Sequence, residues 1–280
     1  MLKYLTILLD DAAESFCHYK VQKLPNVISE DVLRKGITFA MKENLNTQFV
    51  FPSHELPEYV YDIIDSIEHT KIGKEEVIVY NEWPHRFNEY ENCVIRITLK
   101  DLLSTELPSV LPMRMNIMLM DIESCTEQDF VLYKSWLEKN AEILKGKNSQ
   151  INILTDRTSL SEMNNCNAGY ESITLAPDGK FYVCPGFYQD DMGDVGNLND
   201  GLLIRNQHLY ELRYAPICRT CDAYHCKRCI WLNKKTTLEV NTPSKEQCVI
   251  SHLERNASRI LAPDRITEIN YLDPFENLIK

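Results

Sequence analysis

The run YLTILLD (residues 4–10), followed by Asp11, decides the fold. Its apolar side chains stand at neighbouring rather than alternating positions, as in a strand covered on both faces. Five further runs read the same way: TQFVF (47–51), EVIVYN (76–81), CVIRITL (93–99), MNIMLMD (115–121) and INILTD (151–156). Helical stripes lie between them. Leu33, Ile37, Ala40 and Met41 share one face, and Val60, Ile63, Ile64 and Ile67 repeat the i, i+3, i+4, i+7 spacing, with Pro57 suited to the first turn. Thr126 is placed to cap a helix carrying Phe130, Tyr133, Leu137, Ala141 and Leu144 on one side, and a further helix is expected near 100–111, weakened by Pro108. This alternation predicts an α/β fold with a parallel sheet and right-handed crossovers. A doubly wound sheet and a partial (β/α) barrel both satisfy it.

Either architecture puts chemistry on the loops that follow the strands' carboxyl ends. Those loops carry Asp10, Asp11, Cys17 and His18, then His54, then Glu82, Trp83 and His85, and then Asp121, Glu123 and Cys125. The commoner meaning of such residues is a solvated loop with small buried thiols. The sharper one is a polar pocket, with Cys17, His18, His54, His85 and Cys125 as candidate catalytic or metal-binding groups. Cys93 sits inside a strand run and reads as core. Neither a GxGxxG nor a GxxxxGK[ST] segment is present, so nothing marks a dinucleotide or P-loop site.

With 280 residues, 44% hydrophobic and 25% charged, the composition is that of an ordinary soluble protein. A net charge of −11 argues against nucleic acid and anionic membrane as partners, although Lys227, Arg228, Lys234 and Lys235 could form a local basic patch. The first apolar run is too short for a membrane helix and lacks a small-residue cleavage site, so a cytoplasmic location is expected. In that reducing compartment the ten cysteines are poor candidates for disulfides.

Seven of the ten fall between Cys166 and Cys248. Asp178-Gly179 marks a hairpin turn between SITLA and KFYV, with Cys166 before the hairpin and Cys184 after it. The segment LLIRNQHLYELRYA reads as helix-like. Cys218, Cys221, Cys226 and Cys229 follow as two C-x2-C pairs, and Cys248 stands beyond them. Tandem C-x2-C pairs with three further cysteines are a strong metal signal, since a tight turn aims two thiolates at one ion. Zinc would need only Cys218, Cys221, Cys226 and Cys229, and would leave Cys166, Cys184 and Cys248 without a role. Iron–sulfur clusters also take four thiolates, and seven cysteines suit two clusters with one ligand short. Spacing leaves both open, with iron–sulfur slightly ahead.

The pattern C-x12-G-x4-C, then C-x2-C-x4-C-x2-C, then a distal cysteine, resembles the SPASM domain of radical SAM peptide-modifying enzymes. Its inner gaps of four and two are shorter than the usual five and three. The resemblance implies interleaved ligands: Cys166, Cys184 and Cys229 for one 4Fe–4S cluster, and Cys218, Cys221, Cys226 and Cys248 for another. It also implies a partial β/α barrel ahead of the domain. A SAM-cleaving barrel carries C-x3-C-x2-C after its first strand. Here the loop reads DDAAESFCHYK, with Cys17 its only thiol, and no GGE-type segment follows the second strand. The segments KYLTILLDD, FCHY and KGITFAMKENLNTQFVFP resemble the CXXX repeat peptide maturases.

The expected organisation is a degenerate radical SAM-like partial β/α barrel of about six βα units (1–157), a SPASM-like iron–sulfur domain (158–262) and a C-terminal tail (263–280). The resemblance implies maturation of a ribosomally made, cysteine-rich precursor peptide without SAM cleavage. Whether the chain is itself the enzyme, a non-catalytic partner that presents peptide or relays electrons to a true modifying enzyme, or a zinc-binding recognition scaffold stays open; a second maturation protein or a redox donor is a further expected partner. The three-cysteine cluster would take His225, Asp222, water or a substrate thiolate as its fourth ligand.

Overall fold

The computed structural model describes residues 2–14, 24–189 and 193–266. The elements run β1 (Tyr4–Leu8), α1 (Glu30–Lys42), β2 (Asn46–Val50), α2 (Glu58–Ile64), β3 (His69–Ile72), β4 (Ile78–Tyr80), β5 (Asn92–Ile97), α3 (Leu99–Leu103), β6 (Arg114–Leu119), α4 (Glu127–Leu144) and β7 (Gln150–Ile151). They continue α5 (Asp156–Ser159), β8 (Ser172–Leu175), β9 (Phe181–Tyr182), α6 (Pro185–Gln189), β10 (Gly196–Asn197), β11 (Gly201–Leu202), α7 (Ile230–Thr237) and α8 (Lys245–Ser258). Two compact units form, each from two stretches: residues 1–79 with 167–211, and residues 80–166 with 212–280.

In the first unit, β3, β2, β1 and β8 pair in parallel, and β9 closes the sheet antiparallel to β8. Leu5, Ile7, Phe49, Ile173 and Leu175 from the strands meet Leu33, Ile37 and Ala40 of α1 and Val60 and Ile64 of α2 in one buried cluster. Ser29 caps α1 by accepting from the Val32 amide, as its short polar side chain allows. At Gly36 a Cβ would lie 2.4 Å from Leu175 Cδ2, so the missing side chain lets α1 sit close on β8. Met41, expected on the buried stripe, is 73% exposed. Pro57 occupies the residue before α2 rather than its first turn.

The β10–β11 hairpin needs glycine at position 196. Its φ is +126°, and a Cβ there would meet the Gly201 carbonyl oxygen at 2.1 Å. Gly196→Ala is expected to cost on the order of 2 kcal/mol, readable as a lower denaturant midpoint, because backbone rather than a flexible side chain blocks the new atom.

In the second unit, β5, β6 and β7 pair in parallel, with β4 bordering the sheet where the chain passes between units. Helix α4 has the expected start: Thr126 accepts from the Asp129 amide while the Asp129 carboxylate accepts from Thr126 N–H. Phe130, Tyr133, Leu137, Ala141 and Leu144 are buried, and α8 packs against this helix.

The sequence expectations need correcting in several places. Among the described residues the strands pair in three sheets, β3-β2-β1-β8-β9, β4-β5-β6-β7 and β10-β11; the parallel α/β pairing is as expected, and these pairs do not join the two larger sheets into one barrel. The hairpin expected around Asp178-Gly179 forms as β8 and β9 and extends the first unit's sheet. The INILTD run forms only a two-residue strand. Asn152 turns its amide onto both backbone groups of Ile117, and Thr155 Oγ1 accepts from the Ile151 amide; these bonds replace the ladder. Strand β3, HTKI, is short, polar and partly exposed, and so carries no apolar run. The 100–111 helix shrinks to α3, and the segment expected as helix-like over 202–215 is the end of β11 followed by 3-10 turns, with Asn206 left-handed at φ 52°.

Candidate metal centre

The cysteine segment of the second unit is built from tight turns. Cys218 opens a 3-10 turn whose carbonyl accepts from the Cys221 amide at 3.2 Å. The Ala223 carbonyl likewise accepts from the Cys226 amide at 2.9 Å. Backbone amides then donate to sulfur, Ala223 N–H to Cys221 Sγ, Arg228 N–H to Cys226 Sγ and Leu232 N–H to Cys229 Sγ, each at 3.4 Å. Arg228 achieves this with a left-handed backbone at φ 44°, and Cys229 is the N-cap of α7. Donors aimed at sulfur stabilise the thiolate rather than the thiol.

Helix α8, capped by Ser244, brings Cys248 to the same place. Burial pushes the Cys218 thiol up to about 12, with Cys226 and Cys221 adding to the rise. Burial also takes Cys221 to about 11 and raises Cys226, and it raises Cys248, on which the thiols of Cys226, Cys218 and Cys221 all act. The four thiols are therefore mutual neighbours in a poorly solvated pocket. Deprotonating them together demands a cation. The Arg228 guanidinium, 1% exposed, has the thiols of Cys218, Cys166 and Cys226 as its charge neighbours.

Around these sulfurs runs a second layer of buried polar groups. The Arg255 guanidinium donates to Asp222 Oδ1 at 2.6 Å, and Arg157 Nε donates to the Asp222 carbonyl at 2.6 Å. Tyr133 OH donates to Glu254 Oε1 at 2.7 Å, and Glu254 Oε2 lies 3.0 Å from His225 Nε2. His225 Nδ1 is buried with no hydrogen-bond partner. His252 Nε2 stands 3.4 Å from Cys221 Sγ.

In chemical type the donor set is that of a thiolate-held group: four thiols acting on one another, amides directed at sulfur, and a buried cation beside them. Among the described residues, no three His, Cys, Asp or Glu side chains stand at distances that would hold a metal ion directly. The thiols are gathered, but not arranged as a coordination shell. Of the other expected ligands, Cys166 ends the first stretch of the second unit and Cys229 heads α7, while Cys184, buried after β9, belongs to the first unit.

The strand-end candidates do not form one group. Cys17 and His18 lie outside the described residues. His54 follows β2 in the first unit, its Nε2 3.7 Å from Asp10 Oδ2. Asp10 is fully buried; its Oδ1 accepts from the Ala12 amide at 2.6 Å, while Oδ2 has no hydrogen-bond partner. Tyr188 OH donates to Asp11. His85 is exposed in the second unit. Cys125 has its thiol pushed up to about 12 by burial and nearby acids, Asp121 first among them, and its Sγ lies 3.6 Å from the Asp121 carbonyl. Asp121 itself accepts from the Leu99 amide at 2.8 Å, a structural task. Cys93 is buried in β5, as expected of core. Of the four residues named as a basic patch, Arg228 is buried, Lys234 donates to the Leu238 carbonyl at 2.7 Å, and Lys235 lies 4.7 Å from the Trp231 ring centroid.

Ser251, His252, Glu254, Arg255 and Arg157 are site residues that no sequence motif above contains. The available signal was the C-x3-H spacing of Cys248 and His252, which puts both on one face of a helix.

No family model and no curated protein matches the chain. Among solved structures it is similar to the Streptococcus suis protein SuiB, recorded in complex with its precursor peptide SuiA. The identity is 10% and the TM-score 0.44, over 88% of this chain and 76% of that one. The likeness is slight, and neither fold nor activity is carried across from it. No helix among the described residues is long and apolar enough to cross a membrane.

Proposed function

We propose that the chain is an iron–sulfur protein that matures a cysteine-rich precursor peptide without cleaving SAM. The observation carrying this reading is the gathering of Cys218, Cys221, Cys226 and Cys248, the four cysteines that the SPASM resemblance groups together, with amides donating to Cys221 and Cys226. These four would hold one cluster, which when bound supplies one-electron redox chemistry. The chain's own residues bury the sulfurs, direct amide and side-chain donors onto them, and surround them with a satisfied Arg255–Asp222 pair.

Cys166, Cys184 and Cys229 enter the proposal on their spacing alone, as ligands of a second cluster short of one thiolate. Asp222 is a weak candidate for the missing place, since Arg255 holds its carboxylate. His225, with its unpartnered Nδ1, is a better local one. A peptide thiolate is the functional alternative, because sulfur is the preferred soft donor for iron. Adding precursor peptide to anaerobic protein is expected to change the visible spectrum, and peptide with its cysteines changed to serine is expected to leave it unaltered. A local ligand already in place predicts no response to either peptide.

Four buried thiolates also suit a structural zinc ion, and that reading makes the chain a recognition scaffold. Anaerobic purification separates the two. Brown protein with acid-labile sulfide supports the cluster; stoichiometric zinc in colourless protein ends it. Reduced, iron-loaded protein given SAM is expected to form no 5′-deoxyadenosine, since Cys17 is the only thiol in the loop where three would be needed. Its formation in preparations free of other enzymes would overturn the SAM-independent reading.

A further inference from the structure

Cys248, Ser251, His252 and Arg255 occupy positions i, i+3, i+4 and i+7 of α8, one face of the helix. Each meets the cysteine segment. Cys248 adds its thiol to those of Cys218, Cys221 and Cys226. The Ser251 side chain hydrogen-bonds Cys226 and favours its thiolate. His252 Nε2 reaches Cys221 Sγ at 3.4 Å, and Arg255 holds the carboxylate of Asp222, the next residue after Cys221. All but Cys248 are more than nine-tenths buried.

A structural staple needs only the thiolates. Side-chain donors delivered to two of the sulfurs from a buried helix add something different. A metal-bound thiolate carries no proton, so His252 must be the donor in its contact with Cys221. Hydrogen bonds to a ligating sulfur withdraw electron density and stabilise the more negative, reduced state of the group. The buried Arg228 guanidinium beside Cys218 and Cys226 acts in the same direction.

We infer that α8 raises the reduction potential of the group held by Cys218, Cys221, Cys226 and Cys248, with His252 as the principal positioning residue through its hydrogen bond to Cys221. That group then accepts one electron from a low-potential one-electron donor and passes it on, rather than serving as a staple. The inference rests on the proposed iron–sulfur reading.

The test uses the full chain, purified anaerobically, with iron and sulfide measured before potentiometric titration followed by electron paramagnetic resonance. His252→Phe is expected to keep its iron and to shift this cluster's potential to more negative values, by more than Ser251→Ala does. His252→Gln, which retains an N–H donor, is expected to recover part of the shift. Should the phenylalanine variant lose iron, His252→Gln and Ser251→Ala carry the comparison, both expected to lie below the unsubstituted protein. Iron present with potentials unmoved overturns this inference alone. A strong nitrogen hyperfine coupling that disappears with His252 overturns it too, by making His252 a ligand. Unsubstituted protein without iron overturns both this inference and the reading beneath it.

Discussion

On the proposed iron–sulfur reading, Cys226→Ala is expected to remove roughly half of the iron and labile sulfide from anaerobically purified protein, one of the two proposed clusters. The residues from 212 to 258 should become sensitive to proteolysis with it. Cys226 sits at the middle of the gathered thiols, and its sulfur takes donors from both the Arg228 amide and Ser251. Before α7 begins, the segment has little regular structure beyond short 3-10 turns, so it has few ladder hydrogen bonds of its own to fall back on. Metal bound by four thiolates contributes on the order of 10 kcal/mol to folding in small loop-rich domains. No single buried side chain here approaches that. Cys93→Ala is the control: Cys93 lies in β5 among core residues, and its loss should cost about 1 kcal/mol of packing with iron unchanged. Iron content and protease resistance unaltered in the Cys226 variant would remove Cys226 from the ligand set.

The second large effect belongs to Glu254. Its two carboxylate oxygens serve Tyr133 and His225, and all three residues are buried. Glu254→Ala leaves a buried phenol and a buried imidazole N–H without acceptors and opens a cavity between α4 and α8. A loss of about 3–5 kcal/mol is expected in denaturant unfolding, the range for breaking a buried polar pair by removing one partner. Glu254→Gln keeps one acceptor oxygen and should fall well short of that loss. Tyr133→Phe removes only the hydroxyl and should cost about 1 kcal/mol. An alanine variant within 1 kcal/mol of the parent would mean that water replaces the carboxylate and the chain of contacts is dispensable.

Much of the secondary structure was legible because its signals are local. The stripe of α4 and its Thr126–Asp129 box lie within one stretch of chain, and both formed as expected. The six apolar runs announced strands for the same reason. INILTD failed because side-chain bonds from Asn152 and Thr155 compete with the ladder, a choice settled by Ile117 across the sheet. The strand HTKI carries no apolar periodicity and is a strand because it pairs along β2.

The sequence by itself determined the alternation of strands and helices, the Thr126 cap, and the cysteine spacing on which the metal-binding proposal rests. Those are properties of neighbouring residues, fixed by side-chain period and turn geometry. Only the tertiary structure decided that the parallel strands divide between two larger sheets, beside the small β10–β11 hairpin, and that β8 pairs beside β1. It also decided which thiols share a neighbourhood and that α8 brings Ser251 and His252 to two of them. Tyr133 and Glu254 are 121 residues apart, and Cys221 and His252 are 31 apart. Such pairs form where packing removes both partners from water and each becomes the other's replacement for it, a condition that no local period records.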